Sequence, residues 1–281
     1  VATYSYDMRP LGAGKGAGDA ATARPQGITD WQLFIIQEYC DGGSLYDALA
    51  GHKLWDGARN GPHLAMVLNV VLDMAAGLEY LHSRNILHGD LKPDNLLLRS
   101  TPQGMVAKLA DFGMSIKMGG NQTHVSGVRH GTPLYIAPEV LREGRASKAA
   151  DVYAFGVVCW ELAHGRTAWD QLLRMANNTS MVKGVQFVPG LLTWEVLAQG
   201  AGQPGAPAPA AASLGGDDGG AGPSTSAAPA PAPPTDAALV ALARLGEACL
   251  SMDPAQRPTA ASILTALYDA ATLVMRAGGG A

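Results

Sequence analysis

The stretch His88-Gly89-Asp90-Leu91-Lys92-Pro93-Asp94-Asn95 decides how the whole chain is read. A carboxylate, a lysine two residues on and an amide five residues on can converge in one tight loop, with glycine and proline turning the backbone between them. Asp90 can accept or orient a hydroxyl proton, Lys92 can neutralise a phosphate, and Asn95 can hold a metal through its amide oxygen. Taken singly, each is more often a solvated surface group. The spacing gives them a common purpose.

The next signal outward is Asp111-Phe112-Gly113, sixteen residues past Asn95, where a carboxylate follows a short β-like run. A hard cation takes oxygen ligands and substrate phosphates, so Asn95 and Asp111 form a candidate Mg²⁺ pair. GTPLYIAPE follows at 131–139, Asp151 lies twelve residues beyond Glu139, and Arg257 stands in the turn DPAQRP.

Between these motifs the patterning is plain. Val67, Val71, Met74, Leu78 and Leu81 recur at helical spacing over 64–82, one stripe facing a core. Asn95–Leu98 and Val106–Leu109 are β-like, 113–135 is loop-like, and DVYAFGVVCWELA (151–163) is apolar nearly all round, as a deeply buried helix is. Two more helices fit 237–250 and 259–275. Upstream, QLFIIQEY reads as a buried strand ending at the turn Asp41-Gly42-Gly43, and the run holding Val1, Tyr4 and Tyr6 reads as its neighbour. Residues 11–29 between the two are small and polar, a flexible loop.

The 281 residues suffice for a sizeable core. The chain has 35 Gly and 18 Pro, roughly a fifth of the total against the ~12 % of an average protein. The excess is concentrated in 11–29 and 199–236. The second stretch has no bulky aliphatic residue except Leu214 and cannot offset its ordering entropy, so it reads as a disordered insert within the domain. A net charge of −4 gives no electrostatic footprint for nucleic acid or anionic membrane. The richest apolar stretch, 64–81, is interrupted by Asn69, Asp73 and Glu79, so no membrane segment is expected within this chain. Cys40, Cys159 and Cys249 read as reduced core thiols. Starting at Val1 with no signal peptide, the chain is expected to be a piece of something longer.

These motifs, in this order and at these spacings, resemble the catalytic domain of eukaryotic protein kinases. The resemblance runs from residue 1 to about 275, apart from the two inserts, leaving 276–281 as a flexible tail. It implies an α+β, protein-kinase-like fold: a mostly helical large lobe over 41–275, joined to the last strands of a truncated small lobe in 1–40. It also implies ATP and Mg²⁺ as cofactors, and a protein Ser/Thr hydroxyl as acceptor. By resemblance, Asp90 is the catalytic base or hydroxyl-orienting residue, Lys92 sits on the γ-phosphate, and Asn95 and Asp111 are the metal ligands. Gln37 is the gatekeeper. Glu38 and Cys40 belong to the hinge whose backbone meets the adenine edge, Ser44 lies near the ribose, and Leu97 is the floor under adenine. Thr132 braces Asp90 and Lys92, Glu139 pairs with Arg257, Asp151 caps the catalytic loop, and His88 packs with Phe112. GTPLYIAPE, DVYAFGVVCWEL and Arg257-Pro258-Thr259 are similar to the tyrosine-kinase-like group of Ser/Thr kinases. The expected location is the cytoplasm, as a free enzyme or as the cytosolic portion of a membrane receptor.

Two departures stand out. The arginine usual between His88 and Asp90 is Gly89, which removes the charge partner of an activation-loop phosphate. No Gly-rich loop, strand lysine or helix glutamate can be placed. GAGKGAG at 12–18 fails G-x-G-x-x-G in every frame, its last position falling on Ala17, Asp19 or Ala21. The alternative is therefore a pseudokinase or remnant, acting as a protein-binding scaffold.

Overall fold

The computed structural model describes residues 1–11, 30–57, 61–170 and 237–278. Of the loop expected over 11–29, Leu11 instead ends the first strand, while 12–29 and the insert expected over 199–236 lie outside the described residues. Strands β1 (Thr3–Leu11) and β2 (Asp30–Gln37) form an antiparallel ribbon, with Tyr6 opposite Ile35 and Met8 opposite Leu33. The strand expectation for QLFIIQEY holds, but its burial does not. Leu33, Ile35 and Ile36 are each more than half exposed. Among the described residues β2 pairs with β1 alone, and a two-stranded ribbon cannot cover its own faces.

After the ribbon, Ser44 opens α1 (Leu45–Ala50), its hydroxyl and the Asp47 carboxylate forming a reciprocal capping box. A minimal ribbon of β3 (Trp55–Asp56) and β4 (Gly61–Pro62) leads into α2 (Leu64–Ser83). Helix α2 is long and apolar enough to cross a membrane by composition, yet Val67, Val71, Met74 and Leu78 are fully buried in one cluster with Phe155 and Ile263. Asp73, midway along it, accepts the Ala107 N–H at 2.8 Å. It is a core helix.

Next, β5 (Ile86–Leu87) precedes the hairpin of β6 (Leu96–Thr101) and β7 (Gly104–Leu109), and β8 (Ile116–Lys117) returns to pair with β5. Period-two burial is visible in the hairpin: Leu96 and Leu98 point into the core, while Leu97 and Arg99 face the other way. The short α3 (Pro138–Glu143) ends at Gly144 and precedes α4 (Lys148–His164). Every residue of α4 from Asp151 to Leu162 is buried, because two clusters flank it: Phe155 and Val158 on one side, Val157 and Trp160 on the other. Helices α5 (Ala237–Cys249) and α6 (Ala260–Gly278) complete the large lobe. Gly156 lets α5 close on α4, since a Cβ there would sit 2.7 Å from the Cβ of Cys249. All three cysteines are free and buried. The result is the expected α+β arrangement, a mostly helical lobe carrying a small strand ribbon.

Candidate active site

The loop 88–95 is built from underneath. Asp151, in the first turn of α4, accepts the N–H of His88 and of Gly89 at 2.9 Å each, and lies 2.8 Å from His82 Nε2. One buried carboxylate thus satisfies two backbone donors that would otherwise be orphaned. Gly89 takes φ +78°, and a Cβ there would lie 2.6 Å from the Met114 carbonyl oxygen.

Above this base, Asp90 gathers donors. Thr132 Oγ1 donates to its Oδ1 at 2.7 Å and Thr132 N–H at 3.0 Å, while Lys92 Nζ lies 3.1 Å from Oδ2. Lys92 Nζ also donates to Thr132 Oγ1 at 2.7 Å, so the hydroxyl accepts from the lysine and donates to the carboxylate. Burial pushes the Asp90 pKa up, but the bonds from Thr132, Lys92 and Asn95 outweigh it and the net direction is down. Asp90 is therefore a carboxylate at neutral pH, an acceptor suited to orienting a hydroxyl.

The Asn95 amide donates to Asp90 Oδ2 at 3.0 Å and to the Asp90 carbonyl at 2.8 Å. The Asn95 backbone carbonyl accepts Ala110 N–H at 2.9 Å, and Leu96 pairs with Leu109, so the hairpin carries Asn95 alongside Asp111. Asp111 adopts a left-handed backbone and spends Oδ1 on Gly113 N–H. Among the described residues, Asn95 Oδ1 and Asp111 Oδ2 accept no hydrogen bond. An amide oxygen and a carboxylate oxygen fit Mg²⁺, which completes its shell with waters and phosphates instead of a full protein cage. Next to this pair the His88 ring packs against Phe112 at 5.4 Å, and burial pushes the His88 pKa down.

The segment after β2 lies along β6. Gln37 Nε2 donates to Thr3 Oγ1 at 3.2 Å, and Glu38 N–H donates to the Ala2 carbonyl at 2.8 Å. Among the described residues, the Glu38 carbonyl and the Cys40 N–H have no hydrogen-bond partner, leaving one acceptor and one donor two residues apart. Ser44 forms a bridge pair with Leu97, which brings those two residues together. The Ser44 hydroxyl donates to Asp47 Oδ2 at 2.7 Å and accepts Asp47 N–H at 3.1 Å, so it caps α1 with its proton already spent.

Sequence reasoning missed two features. The Glu38 side chain turns inward onto Lys108 and Arg99, and Tyr135 bonds the buried Glu161. The first had a faint signal: Arg99 and Lys108 are cations at outward-facing hairpin positions, with no acid in the hairpin to pair them. The Glu139–Arg257 ion pair forms as expected, with bonds of 2.7 and 2.9 Å.

A family model described as protein kinase domain matches residues 27–268. Serine/threonine-protein kinase CTR1 of Arabidopsis thaliana is 40 % identical over 157 residues, covering 55 % of this chain and 18 % of that protein. Serine/threonine-protein kinase STY46 of the same plant is 37 % identical over 152 residues, covering 54 % and 24 %. Receptor-interacting serine/threonine-protein kinase 3 of Rattus norvegicus is 44 % identical over 125 residues, covering 42 % and 24 %. The matched stretch spans less than a quarter of the length of each of these relatives.

Proposed function

Since the chain belongs to the protein kinase domain family, we propose that its parent protein transfers the γ-phosphate of ATP to Ser or Thr hydroxyls of proteins, in the manner of the tyrosine-kinase-like group. The observation that carries this is the triangle of Asp90, Lys92 and Thr132, closed by bonds of 2.7, 2.7 and 3.1 Å. A carboxylate held ionised beside an ammonium orients an incoming hydroxyl and places positive charge where phosphate charge develops. The Glu38 carbonyl and the Cys40 N–H would take the adenine edge, with Leu97 beneath it. Asn95 and Asp111 would hold Mg²⁺, which when bound neutralises phosphate oxygens. Gln37 would border the base as gatekeeper.

The test is nucleotide binding and transfer measured together. MgADP should raise the melting temperature more than ADP with chelator. Asp90→Asn should lower transfer to a Ser/Thr peptide library by roughly 100-fold or more while leaving MgADP binding in place. An unchanged transfer rate in Asp90→Asn would overturn the assignment.

One sequence observation favours a second reading, a pseudokinase or remnant serving as a protein-binding scaffold: no Gly-rich loop, strand lysine or helix glutamate can be placed among the 281 residues. Clamping of the phosphates supplies much of the rate in phosphoryl transfer, so the 281-residue chain by itself is expected to turn over slowly. MgADP binding without transfer, in a protein extended upstream of Val1, would favour the scaffold.

A further inference from the structure

Outside the catalytic loop, Glu38 is a buried charge bonded by three separate segments. Its side chain is only 4 % exposed, yet it receives Lys108 Nζ at 2.6 and 2.8 Å, the Arg99 guanidinium, and the Ala2 N–H at 3.1 Å. The Lys108 bond, more than any other influence, holds its pKa at about 2, so the carboxylate is ionised throughout the working range. These donors belong to separate segments. Ala2 precedes β1, Arg99 lies in β6, and Lys108 lies in β7 three residues before Asp111.

The same segment is fastened again further on. Ser100 N–H donates to Asp41 Oδ1, Gly42 N–H to the Leu98 carbonyl, and Leu98 N–H to the Gly43 carbonyl, each at 2.8 Å. Residues 38–43 are thus tied to the hairpin at both ends, and among the described residues the Glu38 carbonyl and the Cys40 N–H between the ties have no hydrogen-bond partner.

We propose that Glu38 is a positioning residue, whose carboxylate clamps the segment 38–43 to β6 and β7 and so fixes the nucleotide-reading backbone relative to the strand that leads to Asp111 before any nucleotide binds. The inference rests on the reading that this backbone meets the adenine edge. A buried carboxylate keeps its place only while its cations stay, because losing one strands the charge. A segment ordered in advance spares a ligand the cost of ordering it.

The experiment compares Lys108→Met, Lys108→Arg, Glu38→Gln and Arg99→Met in the full chain, by amide hydrogen exchange without ligand and by MgADP titration. In Lys108→Met and Glu38→Gln, exchange should accelerate at 38–43 and 96–100 but not in α2 or α4. MgADP affinity should fall about tenfold, the worth of one charged hydrogen bond. Lys108→Arg should restore both. Arg99→Met, at a half-exposed position, should move both readouts less in the same direction and decides the matter if Lys108→Met fails to fold. Unchanged exchange at 38–43, or accelerated exchange with unchanged MgADP affinity, overturns the clamp. If the wild-type chain does not bind MgADP, the nucleotide reading fails instead, and the exchange data alone decide whether Glu38 fixes the segment.

Discussion

Tyr135 O–H donates to Glu161 Oε1 at 2.6 Å, inside a core where Glu161 has no exposed surface. The same oxygen accepts Ala168 N–H at 2.7 Å, while Oε2 is buried without a hydrogen-bond partner. Burial, reinforced by Asp94 and Asp170, outweighs those two bonds and pushes the carboxyl from 4.5 to about 8. Glu161 is therefore neutral at pH 7 in the folded chain and ionised in the unfolded one. Because the folded value is the raised one, its contribution to stability is complete below pH 4.5 and is lost as pH rises toward 8. Each pH unit in that window costs about 1.4 kcal/mol. Glu161→Gln should gain on the wild type across the window, by several kcal/mol in total. Urea unfolding of both proteins at pH 5 and pH 8 measures this; an equal difference at the two pH values would mean that Glu161 is ionised in the fold.

Arg257 joins three segments. Its guanidinium forks onto both oxygens of Glu139, donates to the carbonyls of Ala149 and Ser251, and lies 5.1 Å from the Tyr153 ring centre. Its side chain has no exposed surface. Removing one partner of such a pair leaves an uncompensated buried charge. Arg257→Met is expected to destabilise the chain by about 3–5 kcal/mol, and the double variant with Glu139→Leu by less than the two single changes summed. Denaturant midpoints of the three variants test it. Strict additivity would mean that the two residues act independently.

What was legible in the sequence and what was not divide along physical lines. Helix α2 announced itself because Val67, Val71, Met74 and Leu78 repeat at the helical period, and α4 because nearly every side of it is apolar. The cluster of Asp90, Lys92 and Asn95 was visible because loop spacing is local. The exposure of β2 was not, since Leu33 and Ile35 have the composition of a buried strand wherever they lie. Burial is set by what covers a strand, and the strand's own residues do not encode that. The Glu38–Lys108 and Tyr135–Glu161 bonds join residues 70 and 26 positions apart, a distance over which single-sequence periodicity is silent.

Gly89 is fixed by its backbone as much as by its missing side chain. At φ +78°, with the Met114 carbonyl 2.6 Å from where a Cβ would be, any larger residue must move the segment after Asp111. Gly89→Ala should cost about 1–3 kcal/mol and speed exchange at His88 and Asp90. Gly89→Arg should not create a phosphate-responsive enzyme, because its backbone cannot settle without displacing Met114. Phosphatase treatment of the active full-length protein should correspondingly leave turnover unchanged. A collapse of turnover would show that another cation receives the activation-loop phosphate.

Thr132 should separate chemistry from binding. Its hydroxyl donates to Asp90 and accepts from Lys92, while the residues assigned to the adenine edge lie elsewhere, at 38 and 40. Thr132→Ala removes a bond that holds Asp90 ionised and leaves Lys92 without its neutral acceptor. Transfer should fall by roughly 10–100-fold, with the affinity for MgADP preserved. The sign of the pH effect follows from the direction of the Asp90 shift. That pKa is lowered in the folded chain, so losing the Thr132 bond raises it, and the acid limb of the rate profile should move to higher pH. Thr132→Ser keeps the hydroxyl and should restore both the rate and the limb. A Thr132→Ala enzyme with a normal rate but weakened nucleotide binding would relocate Thr132 from bracing the catalytic loop to shaping the nucleotide site.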